Sequence, residues 1–260
     1  MWLRVLLTLA LFLSPTVMSA APVSCGSIPP FAEGMSQEKH IAMLLRRAIA
    51  CVQEGRPDLS IEIFSEVIGL DPGNEVAYLN RGNAYLQMRQ FDLGVSDFSH
   101  AISLEPKSVE AWYNRGVAFV VMQRYQQGIA DLSEAIKLKP DFARAYCNRG
   151  LAFARKGDHD RALSDLSLGS QKDAGLPMCY FGKADVYFQK KDYKTAIEQF
   201  SMGLQIATNV EALIKRAKAY EHFGEADKAL ADFKAALLIA PTHKEALEGV
   251  RRLGQRGDTP

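Results

Sequence analysis

Apolar and small residues recur along this chain at a fixed period, in six successive units of which the fifth is one residue shorter than the others. Counted from the start of each unit, positions 4, 11 and 24 hold mostly large apolar residues, and positions 8 and 20 hold small ones. Positions 4, 8 and 11 share one face of an α-helix. The pattern therefore predicts two helices per unit, in contact at positions 8 and 20, with a frequent proline at position 32 ending the second helix. The units begin at Ile41, Glu75, Val109, Ala143, Pro177 and Val210.

A fixed period of this length is typical of a solenoid, in which each helix pair buries its apolar face against its neighbours. The predicted fold is therefore an all-α solenoid of six helix-turn-helix units, followed by a capping helix over 244–253 and a tail over 254–260. The units are expected at 41–74, 75–108, 109–142, 143–176, 177–209 and 210–243. The capping helix is expected to cover the last unit with Ala246, Leu247, Val250 and Leu253.

Over residues 41–243 these units resemble the tetratricopeptide repeat (TPR) family, which repeats the same pattern of large, small and proline positions. The resemblance implies a right-handed superhelix with a concave groove lined by the first helix of each repeat. It also implies that the groove binds a peptide or helix of a protein partner, because TPR arrays are binding surfaces.

The resemblance indicates which residues face that groove. Position 6 is Asn80, Asn114 and Asn148 in three successive repeats, and an amide both donates and accepts, so it can pair with the backbone of any peptide. The alternative is that these asparagines have no role in binding, because asparagine is common at this position across the family. Apolar side chains at position 5 are expected to line the groove, unless neighbouring repeats or the folded-back linker bury them. Position 5 is Leu45, Leu79, Tyr113, Cys147, Phe181 and Ile214, of which Leu79, Tyr113 and Phe181 are taken as candidate site residues.

A second resemblance concerns the dicarboxylate clamp of chaperone-binding TPR domains. Asn83, Asn114 and Arg144 fit the clamp, but Leu79 and Asn148 stand where the family has basic groups. This departure implies weak binding of a C-terminal carboxylate. The candidate groove is thus Leu79, Asn80, Asn83, Tyr113, Asn114, Arg144, Asn148 and Phe181.

Arginine recurs at position 7 and aspartate at position 23 of the same unit, as in Arg115 and Asp131. We expect a ladder of structural ion pairs between helices, either within a repeat or between neighbouring repeats. The pairing lapses in the first repeat, with Arg47 and Ile63, and in the fifth, with Lys183 and Gln199.

Residues 1–21 are typical of a secretory signal, with Arg4 before an apolar stretch and small residues before a cleavage site after Ala21. Residues 22–40 are then a linker. An uncleaved anchor is one alternative. Lipidation of Cys25 is another, but Pro22 stands where leucine is expected in a lipobox. We expect a periplasmic or secreted protein of exported bacterial type, without a transmembrane segment after signal removal.

The chain has four cysteines, and export to oxidising conditions would permit disulfides. Cys51 is either a small buried apolar residue or a partner of Cys25, if the linker folds back. Cys147 and Cys179 lie on the first helices of adjacent repeats, at positions 5 and 3, so a bond between them is also left open.

Composition and the absence of known motifs argue against several classes of function. There are 31 Lys and Arg against 30 Asp and Glu, so bulk charge favours neither nucleic acid nor an anionic membrane. Five scattered histidines stand in no catalytic or metal-binding motif, and no phosphate-binding loop occurs. We therefore expect no enzyme activity and no cofactor.

The function expected from these observations is a non-catalytic adaptor that binds a protein segment of unknown identity in a TPR groove. Two alternatives stay open, since fold does not fix function. One is an architectural envelope or pilus assembly factor that works through its edges or convex face. The other is an accessory regulator of a cell-wall enzyme.

Overall fold

The computed structural model of the chain describes residues 24–26 and 35–254. The predicted signal peptide at 1–21, most of the linker at 22–40 and residues 255–260 of the tail lie outside these ranges. In the part that is described, every regular element is an α-helix, and the predicted all-α solenoid of helix-turn-helix repeats is confirmed. The chain divides after Pro140 into two compact units.

The first unit contains the helices of repeats 1 to 3. They are α1 (Gln37–Gln53), α2 (Pro57–Leu70), α3 (Glu75–Gln87), α4 (Phe91–Leu104), α5 (Val109–Val121) and α6 (Tyr125–Leu138). The second unit contains repeats 4 to 6 and one further helix. They are α7 (Ala143–Arg155), α8 (His159–Lys172), α9 (Pro177–Gln189), α10 (Tyr193–Ile206), α11 (Val210–Phe223), α12 (Ala226–Ile239) and α13 (Lys244–Gly254).

Local sequence explains where several helices begin. Asn74 caps α3 by accepting a hydrogen bond from the Ala77 N–H at 3.1 Å, and Asn209 caps α11 by accepting from the Ala212 N–H at 2.9 Å. Proline opens α2 and α9, at Pro57 and Pro177, where its missing N–H removes no helical hydrogen bond.

Within each unit, the two helices of a repeat pack together, and the second helix also packs against the first helix of the next repeat. The first helices touch one another as well, through α1–α3 and α3–α5 in the first unit and α7–α9 in the second. Each unit therefore has a surface formed by first helices, which we call the first-helix face.

Position 24 supplies the centre of each core, as the pattern predicts. Its side chains are almost wholly buried. They are Phe64, Phe98, Leu132, Leu166, Phe200 and Phe233. Large side chains fit there because the opposite helix has a small residue at position 8: a Cβ on Gly82 would lie 2.7 Å from the Phe98 ring.

The predicted close approach of helices at positions 8 and 20 is also found. A Cβ on Gly128 would lie 2.9 Å from the carbonyl oxygen of Gly116, and one on Gly94 would lie 3.1 Å from that of Gly82. These contacts give the glycines a packing reason that outweighs their cost of about 0.5–1 kcal/mol each within a helix.

Helix α13 packs on the last repeat with only part of its predicted apolar face. Ala246 and Leu253 are buried, but Leu247 is 47% exposed, so the expectation for Leu247 is wrong. The contact instead runs through Gly249, where a Cβ would lie 2.5 Å from the Phe233 ring. Close approach at Gly249 turns the helix so that Leu247 faces outward.

The turn between the two helices of a repeat has a left-handed residue at position 15 every time. Three are glycines, and three carry side chains at φ of 60–62°. The latter are Arg89, Gln123 and Lys191. Left-handed backbone costs a non-glycine residue about 1–2 kcal/mol, so these three turns are strained.

We predict that Arg89→Gly stabilises the first unit by about 0.5–1 kcal/mol, because glycine adopts this conformation without a Cβ clash. The measurement is urea unfolding followed by circular dichroism. The matched control is Ala130→Gly on the exposed side of α6, which should destabilise by about 1 kcal/mol. A loss of stability in Arg89→Gly would contradict the assignment of strain to this turn.

Candidate functional site

Arginine at position 7 and aspartate at position 23 form a bidentate ion pair, which we call the rung, in four repeats. In repeat 3, Arg115 Nε and Nη2 donate to the two carboxylate oxygens of Asp131 at 2.7 and 3.0 Å. The other three rungs have distances of 2.7–2.9 Å. They are Arg81–Asp97, Arg149–Asp165 and Arg216–Asp232. The predicted ion pairs are confirmed, and each ties the first helix of a repeat to the second.

Each guanidinium group has further partners. Arg115 Nη1 donates to Ser99 Oγ in the preceding repeat at 3.0 Å, and its Cζ lies 4.9 Å from the Trp112 ring centroid and 6.0 Å from that of Phe119. The aromatics at positions 4 and 11 thus flank the arginine. Hydrogen bonds to Asp97 raise the pKa of Arg81, so its charge is secure.

The sequence analysis missed the serine. It stands at position 25 in five repeats, and that recurrence was the available signal. These residues are Ser65, Ser99, Ser133, Ser167 and Ser201. Arg81 donates to Ser65 at 2.9 Å, and Arg216 donates to Ser201 at 2.9 Å. A rung therefore joins three helices across a repeat boundary.

Repeats 1 and 5 lack the aspartate, and their position-7 cations have other partners. Arg47 Nε donates to the carbonyl oxygens of Cys25 at 3.3 Å and Gly26 at 2.7 Å. Lys183 Nζ donates to Ser170 Oγ at 3.1 Å and lies 4.6 Å from the Tyr180 ring centroid. Burial lowers the pKa of Lys183, because no carboxylate offsets its desolvation.

Both disulfides that the sequence left open are present. Cys25 and Cys51 are bonded, with Cα atoms 4.5 Å apart, and Cys147 and Cys179 are bonded, with Cα atoms 5.2 Å apart. The first bond holds residues 24–26 against α1, where the Cys25 N–H also donates to Glu54 Oε1 at 3.0 Å. A thioether on Cys25 and this disulfide exclude each other, so the bond argues against lipidation there.

The predicted groove amides of the first unit lie together on the first-helix face. Asn114 Nδ2 donates to Asn83 Oδ1 at 2.9 Å, and Asn80 Nδ2 donates to the Val76 carbonyl oxygen at 2.8 Å. Asn80 and Asn83 are each 1% exposed. Asn80 Oδ1 and Asn83 Nδ2 are buried without a hydrogen-bond partner, an arrangement that costs about 1–3 kcal/mol per group.

The second unit has a different polar arrangement on its first-helix face. Asn148 is buried, and its Nδ2 donates to the Arg144 carbonyl oxygen at 3.1 Å. Lys215 Nζ donates to both carboxylate oxygens of Asp185, at 2.6 and 2.7 Å. A salt bridge therefore takes the place of the amide pair seen between repeats 2 and 3.

Two of the three candidate residues at position 5 are less exposed than expected. Leu79 and Phe181 are buried, so the prediction that they line an exposed apolar groove is wrong. Phe181 packs against its own repeat's second helix, where a Cβ on Gly203 would lie 2.6 Å from Phe181 Cδ1. Tyr113 is half-buried and is the candidate at this position that keeps exposed surface.

The sequence analysis also missed a contact between position 9 of one repeat and position 6 of the next. The Asn83–Asn114 and Asp185–Lys215 pairs are two examples. A third is apolar: a Cβ on Gly182 would lie 2.8 Å from Leu151 Cδ2. Opposite charges or matched sizes at these two positions were the signal.

The residues described form neither a metal site nor a membrane-spanning helix. Among residues 24–26 and 35–254, no group of His, Cys, Asp and Glu is placed to hold a metal ion. None of the helices in these ranges has both the length and the apolar character to cross a membrane.

Comparisons with known proteins agree with this geometry. The fold and the repeated helix pair define a TPR protein. The chain belongs to the family described as the ETO1 C-terminal domain, whose profile matches residues 73–257. A search of curated proteins found no match.

Several solved structures share the fold. PilF of Pseudomonas aeruginosa is 16% identical, with a TM-score of 0.70 over 82% of this chain and 97% of that one. PilW, a type IV pilus biogenesis factor, is 18% identical, with a TM-score of 0.74 over 81% and 98%. YrrB, a TPR protein with an unusual peptide-binding site, is 18% identical, with a TM-score of 0.55 over 74% and 99%.

We predict that Asp131→Ala destabilises the first unit by about 3 kcal/mol, because it leaves the Arg115 guanidinium without its carboxylate in a largely buried site. Urea unfolding measures the change. The control is Asp92→Ala, which removes an exposed ion pair with Arg124 at 3.5 Å and should change stability by less than about 0.5 kcal/mol. Equal effects of the two substitutions would contradict the role given to the rung.

Proposed function

We propose that the protein is a non-catalytic adaptor that binds an extended peptide segment of a protein partner on its first-helix face. The observation that carries the proposal is the pair of unpartnered amide atoms in the first unit, the acceptor Asn80 Oδ1 and the donor Asn83 Nδ2. A peptide unit offers one donor and one acceptor, so it is chemically matched to both.

Binding would recover the energy that these groups lose in the free protein. In the absence of a partner, each buried atom has lost its water without gaining a hydrogen bond. Turning the two side chains toward a ligand backbone satisfies them, while Asn114 holds Asn83 at its oxygen. Tyr113 supplies half-exposed aromatic surface on the same helix as Asn114.

The candidate groove residues of the second unit have other roles in the proposal than the amides of the first unit. Arg144 is half-buried on α7, and Phe181 is buried on α9. We assign Arg144 to electrostatic contact with a ligand and Asn148 to holding its backbone through the Arg144 carbonyl oxygen. Leu79 and Phe181 support the face from beneath by packing.

We predict that Asn80→Ala and Asn83→Ala weaken peptide binding by about tenfold each, the effect of losing one hydrogen bond worth about 1.4 kcal/mol. An array of extended peptides of varied sequence supplies the ligands, and calorimetry with the best of them supplies the affinity. Gln127→Ala, an exposed amide on the second helix α6, is the control and should bind as the unaltered protein does. Unchanged affinity in both asparagine variants would rule out this surface.

A second candidate is an architectural assembly factor, and exposed apolar side chains on the last two helices of the second unit favour it. Leu238 is 87% exposed on the second helix α12, with Ile239 and Leu247 also exposed. PilW, which shares the fold, is a pilus biogenesis factor.

Under this candidate, Leu238→Glu abolishes partner capture from envelope extracts, whereas Tyr113→Ala and Asn114→Ala leave it intact. The adaptor proposal requires that Tyr113→Ala and Asn114→Ala abolish capture and that Leu238→Glu leave it intact. Identification of the captured protein would also show whether the partner is a cell-wall enzyme.

We also propose that the protein is exported. The pairing of all four cysteines supports an oxidising compartment, because disulfides are rare in the cytosol. We predict that the protein expressed in a bacterium with its segment 1–21 in place is recovered from the periplasmic fraction and does not react with maleimide until it is reduced. Recovery in the cytosol with free thiols would contradict export.

A further inference from the structure

In each of the two repeats without a rung, the first helix carries a disulfide to a cysteine earlier in the chain. In repeat 1, Arg47 faces no carboxylate at position 23, because that residue is the buried Ile63. In repeat 5, position 7 is Lys183 and position 23 is Gln199, which has no carboxylate. The first of these repeats is bonded through Cys51 and the second through Cys179.

In repeat 1 there is no earlier repeat within the described residues, and residues 24–26 take the position of one. In repeats 2 and 3 the position-7 arginine reaches a serine of the preceding second helix. Arg47 instead donates to two backbone carbonyl oxygens of residues 25 and 26. Arg47 and Glu54 hold the segment only through its backbone groups, and the Cys25–Cys51 bond is its covalent tie to α1.

In repeat 5 the remaining contacts of the missing rung are weak. Gln199 Nε2 faces Met202 Sδ at 3.8 Å, and Gln199 Oε1 is buried without a partner. Lys183 keeps a bond to Ser170 of repeat 4 but has none to the second helix of its own repeat in the described contacts. The disulfide from Cys179 to Cys147 joins α9 to α7, and both cysteines are fully buried.

The packing around this second disulfide is adapted to it. A Cβ on Gly169 would overlap Cys147 Sγ and would lie 3.1 Å from the Ala143 carbonyl oxygen. The corresponding residue of repeats 2 and 3 is alanine, at Ala101 and Ala135. Glycine at 169 therefore makes room for the Cys147 sulfur, which is bonded to Cys179.

We propose that the two disulfides replace the missing rungs, so that repeats 1 and 5 are held in place according to the redox state of the surroundings. Repeats 2, 3, 4 and 6 are held by ion pairs that a thiol reagent does not affect. Reduction breaks each S–S bond. An external dithiol supplies two electrons and two protons, yielding two cysteine thiols and the oxidised, cyclic disulfide of the reagent. Residues 24–26 are then released from α1, and α9 is released from α7.

The first experiment is hydrogen exchange of the full mature chain, resolved by peptide mass spectrometry, with and without dithiothreitol. We expect amide exchange in α1 and α9 to accelerate by about tenfold or more on reduction, since each helix then loses its covalent tie while its repeat has no rung to replace it. The amides of α5 and α11, whose rungs are complete, should change by less than about twofold. Equal acceleration in all four helices would overturn the proposal.

The second experiment restores a rung. The double variant Lys183→Arg with Gln199→Asp places in repeat 5 the residues that form the rung in four other repeats. We expect exchange in α9 of this variant to become insensitive to dithiothreitol, while α1 stays sensitive and serves as the internal control. If α9 accelerates on reduction as much as in the unaltered chain, the disulfide does not substitute for the rung.

A permanent form of the reduced state checks the same point without a reagent. Cys179→Ser alone should accelerate exchange in α9, and adding Lys183→Arg with Gln199→Asp should reverse that effect. Cys51→Ser should act on α1 and leave α9 unchanged. Failure of the added rung to slow exchange in the Cys179→Ser background would also overturn the proposal. Peptide affinity is not a readout here, so the adaptor proposal is tested separately.

Discussion

The bidentate contact between a position-7 arginine and a position-23 aspartate constrains the rest of each of the four repeats that contain it. It joins two helices that already approach closely through small residues, and it fixes their rotation, because two parallel hydrogen bonds define an orientation as well as a distance. The aromatics at positions 4 and 11 are held beside the guanidinium group, which they flank. This side of the first helix is therefore committed to packing within the repeat.

Sequence alone was sufficient for features that depend on one repeat and its neighbour. The close approach at Gly116 and Gly128 and the Arg115–Asp131 pair follow from residues that recur in register, and both were predicted. Leu79 and Phe181 were misplaced because their burial depends on a small residue at position 27, such as Gly203, whose role is visible only once the helices are packed. Leu247 was misplaced for the same reason, since Gly249 sets the rotation of the final helix.

The groove amides show a different limit of sequence reasoning. Recurrence of asparagine at position 6 marks Asn80, Asn114 and Asn148 as equivalent, yet their surroundings differ. Asn114 bonds Asn83 of the repeat before it, whereas Asn148 bonds the backbone of its own helix. The hydrogen-bond partner of each asparagine depends on the residues of the neighbouring repeats, so residues at the same repeat position need not have the same structural role. The cysteines are similar, because the pairing of Cys51 depends on a short segment that precedes the first repeat.

The interlocking of position 9 with position 6 of the following repeat has a consequence for how such a chain can change over generations. An amide meets an amide at Asn83 and Asn114, a leucine fills the space left by a glycine at Leu151 and Gly182, and an acid meets a base at Asp185 and Lys215. At these three junctions the facing residues match in chemistry or in size, so the repeats that meet there are not interchangeable. Deletion of repeat 5 would set Leu151 against Lys215, and a tandem duplication of it would set Asp185 against Gly182, so chemistry at these junctions restricts the order of repeats in the second unit.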